Sequence, residues 1–326
     1  MALPTEGYKL PRISARAYEH PADRAASAAL KSIPYLETVM RKLIELGYER
    51  ALRQSYLGSS VRLGDDQLAE VWRTHVRAYA TLDVEPVPDL YLTQFPVANA
   101  ITIGAGTPIV VIQSALINLL DEEQLRAVCA HEAGHVLADH VLYQTTLLLL
   151  MRLSSIPGVP LPLFPLRTAL LEWFRAAELS CDRAAALVTR DPVTVCRTLM
   201  AIAAGAQADR LDLDVFMRQG AEYREQGTGL ERLSKLLLDL NLVHPMPVRR
   251  IHELMQWVRS GEYDRIVAGS YSTRDEPPRP RAEASDAVAF YSERFRDLFR
   301  EAGETVGSVG QQLSDWLNRS RPDGEH

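Results

Sequence analysis

The residues of this chain whose types and spacing most directly specify chemistry are His131-Glu132-Ala133-Gly134-His135. On a helix, positions four apart differ by about 40° in azimuth and about 6 Å in rise, so both imidazoles leave one face toward a common point. Such a pair can hold one zinc ion at about 2.0 to 2.1 Å from each ring nitrogen. Glu132 flanks the pair and can reach a water at the metal without being a ligand. A catalytic zinc has three protein ligands and one open position, so a third ligand must come from elsewhere. The best candidate is Glu178, 43 residues beyond His135 in the helix-like stretch Arg175-Ala-Ala-Glu-Leu-Ser-Cys-Asp-Arg-Ala-Ala185. Asp182 lies one turn later on the same face, where it suits accepting the second N–H of His131 or His135 and fixing that ring. One Zn2+ per chain so held would bring the pKa of a water from 15.7 toward about 7 and polarise a peptide carbonyl. Glu132 would act as general base and then as general acid.

Other reactive side chains read as structural. His140, five residues past His135, falls about 140° round an ideal helix and faces away from the metal. His20 and His75 have no companion ligand nearby, and Cys129 and Cys181 point off the motif faces, which suits packing. Two rival functions fit the motif. One is a catalytically silent metallopeptidase-like scaffold that binds peptides or membrane surfaces; the other is a zinc hydrolase acting on a non-peptide amide. Structural zinc sites are usually closed by four ligands rich in cysteine, and neither a fourth ligand nor a missing Glu132 supports the silent reading.

The positioning elements follow from periodicity and caps. Asp121-Glu122-Glu123 put negative charge where the dipole of the metal helix favours it. Ser114 is expected to cap a short helix before it. Three β-branched runs, Asp89-Leu-Tyr-Leu-Thr-Gln94, Ala98-Asn-Ala-Ile-Thr-Ile103 and Pro108-Ile-Val-Val-Ile-Gln113, predict a small antiparallel sheet. An exposed strand edge, either 98–101 or 108–113, offers backbone groups to an extended peptide, which makes Asn99, Ala100 and Val110 the candidate substrate-binding positions. Apolar spacing predicts helices over 22–56, from Asp65-Asp66 to Tyr79, and over 170–190, 192–204, 211–224, 230–240 and 248–259. The fold class is thus α+β and mainly helical. The organisation is an N-terminal helical region (1–56) packed on a metallopeptidase domain (57–269), a linker rich in Pro and Arg (270–285), and an amphipathic helical tail (286–326).

The chain has 326 residues, 47% hydrophobic and 24% charged, with 36 basic against 42 acidic residues and a formal charge of −6. This is globular composition without the basic excess of a nucleic-acid binder. The three cysteines, Cys129, Cys181 and Cys196, read as reduced thiols. With no basic and apolar leader at the N-terminus, the protein is expected in the cytoplasm. The apolar stretch 141–171 is interrupted by Arg152 and by four prolines between 157 and 165, so no transmembrane span is expected. Peripheral membrane contact through that stretch, or a lid over the cleft at 155–166, is compatible with it. The oligomeric state is not set by these patterns.

His131-Glu-Ala-Gly-His135 together with Glu178-Leu-Ser-Cys-Asp182 resembles the HtpX and CAAX-prenyl-endopeptidase family of zinc metallopeptidases, the gluzincins. Asn99-Ala100, the strand Ile109-Val-Val-Ile112, His244-Pro245 and Arg249-Arg250-Ile251 are similar to further family segments. The resemblance spans roughly 55–260. It implies a zincin-like catalytic domain, a polypeptide substrate, a role for His244 in stabilising the oxyanion, and a substrate-facing or supporting charge from Arg249 or Arg250. The chain departs from membrane-bound members in lacking their transmembrane helices, so prenyl-protein specificity does not carry over.

Overall fold

A computed structural model describes residues 7–33, 35–44, 48–154, 164–225 and 246–276. Helices α1 (Pro21–Lys31), α2 (Leu36–Leu43) and α3 (Glu49–Ser59) precede strand β1 (Val61–Arg62) and α4 (Ala69–Thr81). Strands β2 (Asp89–Thr93), β3 (Ala100–Ile103) and β4 (Ile109–Gln113) follow, then α5 (Ser114–Leu119), α6 (Glu122–Leu137), α7 (Val141–Ser154) and α8 (Phe164–Thr189). The described chain continues through α9 (Pro192–Ala204), α10 (Leu213–Glu225), α11 (Pro247–Arg259) and α12 (Glu262–Val267). Helix α4 begins after Asp65-Asp66 because Gly64 and Gln67 exchange backbone hydrogen bonds in a closed turn. Ser114 is the first residue of α5 and does not cap it.

The sheet is mixed, not antiparallel as expected, with strand order β1-β2-β4-β3. β3 and β4 form an antiparallel pair, whereas β2 and β4 run parallel, Leu90 opposite Val110 and Leu92 opposite Ile112. The reason lies in β4: Ile109-Val-Val-Ile112 is a continuous apolar run, all four residues buried, and such a run belongs between two neighbours with both faces covered. The strand 108–113 is therefore interior and not an edge. Val110, fully buried in the core, offers nothing to a substrate. Among the described strands β3 is last in the order, which leaves 98–101 at an edge of the sheet.

Helix α6 starts with a capping box in which Asp121 accepts from the Gln124 N–H and Gln124 accepts from the Asp121 N–H. It packs chiefly on α8. The approach is close at Gly134, where an added Cβ would meet Ala184 Cβ at 3.0 Å and Cys181 Cα at 3.3 Å. The glycine inside the histidine motif thus lets α6 settle against the part of α8 that carries Glu178 and Asp182.

Leu142, Leu147 and Leu150 of α7 are buried with Leu30, Leu36 and Met40 of the N-terminal helices and Leu170 and Trp173 of α8. The apolar character of 141–154 is thereby used in the core. Among the described residues no helix is long and apolar enough to cross a membrane. Residues 270–276 differ from a linker: Ser14 N–H donates to Ser272 O, Arg274 N–H to Arg12 O, and Ile13 bridges Thr273. The remainder of that stretch, the 286–326 tail, the 230–240 helix and most of the 155–166 loop lie outside the described residues.

Candidate active site

α6 and α8 face each other with His131 and His135 opposite Glu178. The Nε2 atoms of His131 and His135 lie 3.3 and 3.1 Å from the same oxygen, Glu178 Oε1. Ligands about 2.0 to 2.1 Å from a tetrahedral zinc are about 3.3 Å from one another, so each histidine-to-carboxylate separation is that of two ligands on such an ion. His135 and Glu178 are 1% exposed and the His131 side chain 12%, which leaves one side of the group open.

The outer partners complete the fit. Asp182 Oδ1 is 3.2 Å from His131 Nδ1. Arg250, on α11, donates from Nε to Asp182 Oδ2 at 2.7 Å and from Nη1 to Glu178 Oε2 at 2.9 Å. Burial alone would raise the Asp182 pKa, but Arg250 and His131 outweigh it and hold the carboxyl below its ordinary range. Burial likewise disfavours charge on His131, yet the Glu178 carboxylate and the bond to Asp182 push its pKa up to about 10. His135, with burial dominant, is lowered. Glu132, Glu178 and Asp182 line the same cavity as one guanidinium, that of Arg250, and three carboxyl groups to one guanidinium favour a cation beside the two imidazoles.

His131, His135 and Cys181 also each offer a ligand atom within 4.8 Å of the other two. The sequence put Cys181 off the motif face, whereas the close α6–α8 approach brings its sulfur near the pair. Its thiol lies 3.7 Å from His140 Nδ1, the nitrogen that faces His135 Nδ1. Burial, with the Glu178 carboxylate, pushes that thiol well up, which disfavours the thiolate a metal would need, whereas Glu178 Oε1 lies within 3.3 Å of both Nε2 atoms.

The Glu132 carboxylate is 4% exposed and accepts from Thr102 Oγ1 at 2.6 Å. This positioning partner on β3 was not legible in the sequence. Glu132 lines a cavity of about 460 Å³ together with Val97, Ala98, Asn99 and Ala100 from the β3 edge. Val128, Val195, Leu199 and Ile202 form its apolar wall, and His131, Glu178, Asp182 and Arg250 its polar end. Asn99 is tied to its own backbone, Oδ1 accepting from the Ala100 N–H. Arg250 borders the cavity and Arg249 does not, because α11 presents position 250 to α8. His244 lies outside the described residues.

His140 departs from its expected place. α6 ends at Leu137, Asp139 turns the chain at φ +59°, and His140 N–H donates to His135 O. The helical azimuth no longer applies, and the His140 ring returns beneath His135, Nδ1 to Nδ1 at 3.2 Å.

The family model for peptidase family M48 matches residues 63–258. The plastoglobule-localized metallopeptidase 48, chloroplastic, of Arabidopsis thaliana is 35% identical over 261 residues, covering 77% of this chain and 74% of that protein. A protease HtpX homolog of Burkholderia lata is 27% identical over 233 residues (61% of this chain, 78% of the relative). One from Burkholderia ambifaria is 26% identical over 230 residues, with the same coverage. No solved structure matches the chain. With the family model matched over more than half its length, around the cleft between α6, α8 and β3, this chain belongs to peptidase family M48 and is a metallopeptidase.

Proposed function

We propose that the protein is a zinc-dependent endopeptidase that cleaves extended or unfolded polypeptides in the cleft between the β3 edge and the α6–α8 pair. The observation that carries this is the meeting of His131 Nε2, His135 Nε2 and Glu178 Oε1 beside a buried Glu132 and an open strand edge. His131, His135 and Glu178 hold the ion, which when bound supplies Lewis acidity to activate a water and polarise the scissile carbonyl.

The remaining work falls to this chain. The unpaired side of β3 at 98–101 accepts the substrate as an added strand, so affinity comes largely from main-chain hydrogen bonds. The apolar wall of the cavity receives a hydrophobic side chain of that substrate. Thr102 fixes one oxygen of Glu132, and the carboxylate takes the proton of the attacking water and delivers it to the leaving amine. Asp182 orients His131. Arg250, already bonded to Glu178 and Asp182, supports the ligands. The oxyanion role of His244 rests on the family resemblance. Three cysteines that are all unpaired and buried suit a reducing compartment, and the cytoplasmic placement is proposed on that ground.

The test is a pair of variants. Glu132→Gln is expected to keep stoichiometric zinc and lose hydrolysis of an unfolded casein-type substrate by orders of magnitude; undiminished turnover would overturn the base assignment. Glu178→Ala is expected to lose zinc, and full zinc content after that change would move the third ligand elsewhere.

A further inference from the structure

The buried groups behind His135 form a chain that the catalytic reading does not use. His140 Nδ1 lies 3.2 Å from His135 Nδ1, and His140 Nε2 lies 3.2 Å from Asp23 Oδ2 on α1. Asp23 is 0% exposed and His140 2%. Asp23 is held in turn by Ser180 Oγ on Oδ2 and by Ser27 Oγ on Oδ1, at 2.5 and 3.0 Å. Trp173 packs edge-on against His140 and donates its indole N–H to Ser27 Oγ.

From this arrangement we infer that His140 and Asp23 are positioning residues for the metal, a relay that sets the tautomer of His135 from the N-terminal helix. The inference rests on the proposed ligand role of His135. A ring that ligates through Nε2 carries its proton on Nδ1 and must donate it. The acceptor there is His140 Nδ1, so the His140 proton sits on Nε2 and needs an acceptor of its own. Asp23 is that acceptor, its two oxygens otherwise held by the serine hydroxyls. Cys181 Sγ, at 3.7 Å, approaches the same His140 nitrogen from farther away. His131 is oriented by a carboxylate directly, whereas His135 reaches one through a second imidazole. The relay also places a supporting residue on α1, outside residues 63–258, which the family model matches.

Two measurements test it. In the zinc-loaded, 15N-labelled full chain, long-range 1H–15N spectra are expected to show His135 protonated on Nδ1 and His140 on Nε2. A His140 proton on Nδ1 would overturn the relay, and this needs no variant that might fail to fold. Zinc affinity, by competition with a chelator, is expected to fall roughly 10- to 100-fold in His140→Phe. His140→Gln, whose amide can accept at one atom and donate at the other, is expected to stay much nearer wild type. Equal affinity in wild type and His140→Phe would refute the relay. Should Glu178→Ala lose zinc while His140→Phe keeps it, the ligand set stands and the relay alone fails. Should Glu178→Ala keep zinc, the ligand reading itself fails.

Discussion

Arg250 is the residue whose removal the geometry gauges most directly. It is 9% exposed and lies against two carboxylates, Glu178 at 1% and Asp182 at 2%. Arg250→Met keeps an apolar side chain of similar length and leaves both acids buried without their guanidinium. Breaking a buried pair by removing one partner costs about 3 to 5 kcal/mol, most of it the penalty of the abandoned charge. At about 2 to 4 °C per kcal/mol for a chain this size, the metal-free protein should melt roughly 10 °C lower. The charge origin of that loss is separable from lost packing by a double-mutant cycle with Asp182→Asn. If Arg250 neutralises Asp182, the arginine substitution should cost at least about 1.5 kcal/mol less when Asp182→Asn is already present, well beyond the roughly 0.5 kcal/mol scatter of independent sites. Chemical denaturation of the four chelator-treated proteins, followed by far-UV circular dichroism, measures each corner. Additive losses would refute the argument and reduce Arg250 to a packing residue.

Gly134→Ala probes the helix contact that brings His131 and His135 against Glu178. The new Cβ meets Ala184 Cβ at 3.0 Å, an overpacking expected to cost about 1 to 3 kcal/mol and to weaken zinc binding as α6 and α8 separate; unchanged metal affinity and stability would show that the helices do not need this approach. Acid stability should register His75, whose pKa burial pushes down to about 4 against its bond to the Pro88 carbonyl. Above the unfolded value of about 6.5 neither state is protonated; as pH falls below it the unfolded chain gains a proton that the folded chain excludes, so stability is lost between about 6.5 and 4. Relative to His75→Phe, the wild type should lose about 2.5 kcal/mol from pH 7 to 4.5 in urea titrations. A difference independent of pH would contradict this.

What the sequence made legible is the part governed by local geometry. The four-residue spacing of His131 and His135 fixes one face of a helix, and Glu178 and Asp182 fix one face of another. Their convergence then needs only a small residue at the crossing, which Gly134 provides. Helix α9 also begins at Pro192, where the reading of 192–204 put it, and α11 begins at Pro247, one residue before the expected 248. The illegible part is governed by tertiary partners. Nothing local in Ile109-Val-Val-Ile112 distinguishes an edge from an interior strand except its lack of alternation, and that signal pointed inward. Thr102 resembles any strand threonine until α6 sets Glu132 against it.

His140 shows where extrapolating a helix fails and what replaces it. Its expected azimuth assumed that α6 runs on past Leu137, but a left-handed residue at Asp139 ends the helix and swings the ring back under the motif. Once there, the imidazole requires an acceptor, and α1 supplies Asp23 from far away in the chain. The N-terminal helices are held to the same place by independent bonds: His20 N–H donates to Ser180 Oγ, and Arg183 donates to the Tyr18 and Glu19 carbonyls. Ser180 and Arg183 flank Asp182 on α8, so the helix that carries Glu178 and Asp182 is braced by chain that lies before residues 63–258, which the family model matches. A truncation starting at residue 57 would therefore strip His140 of its carboxylate and Arg183 of its carbonyls. It should lose zinc affinity and stability together, which an N-terminal region merely resting on a self-sufficient catalytic domain would not cause.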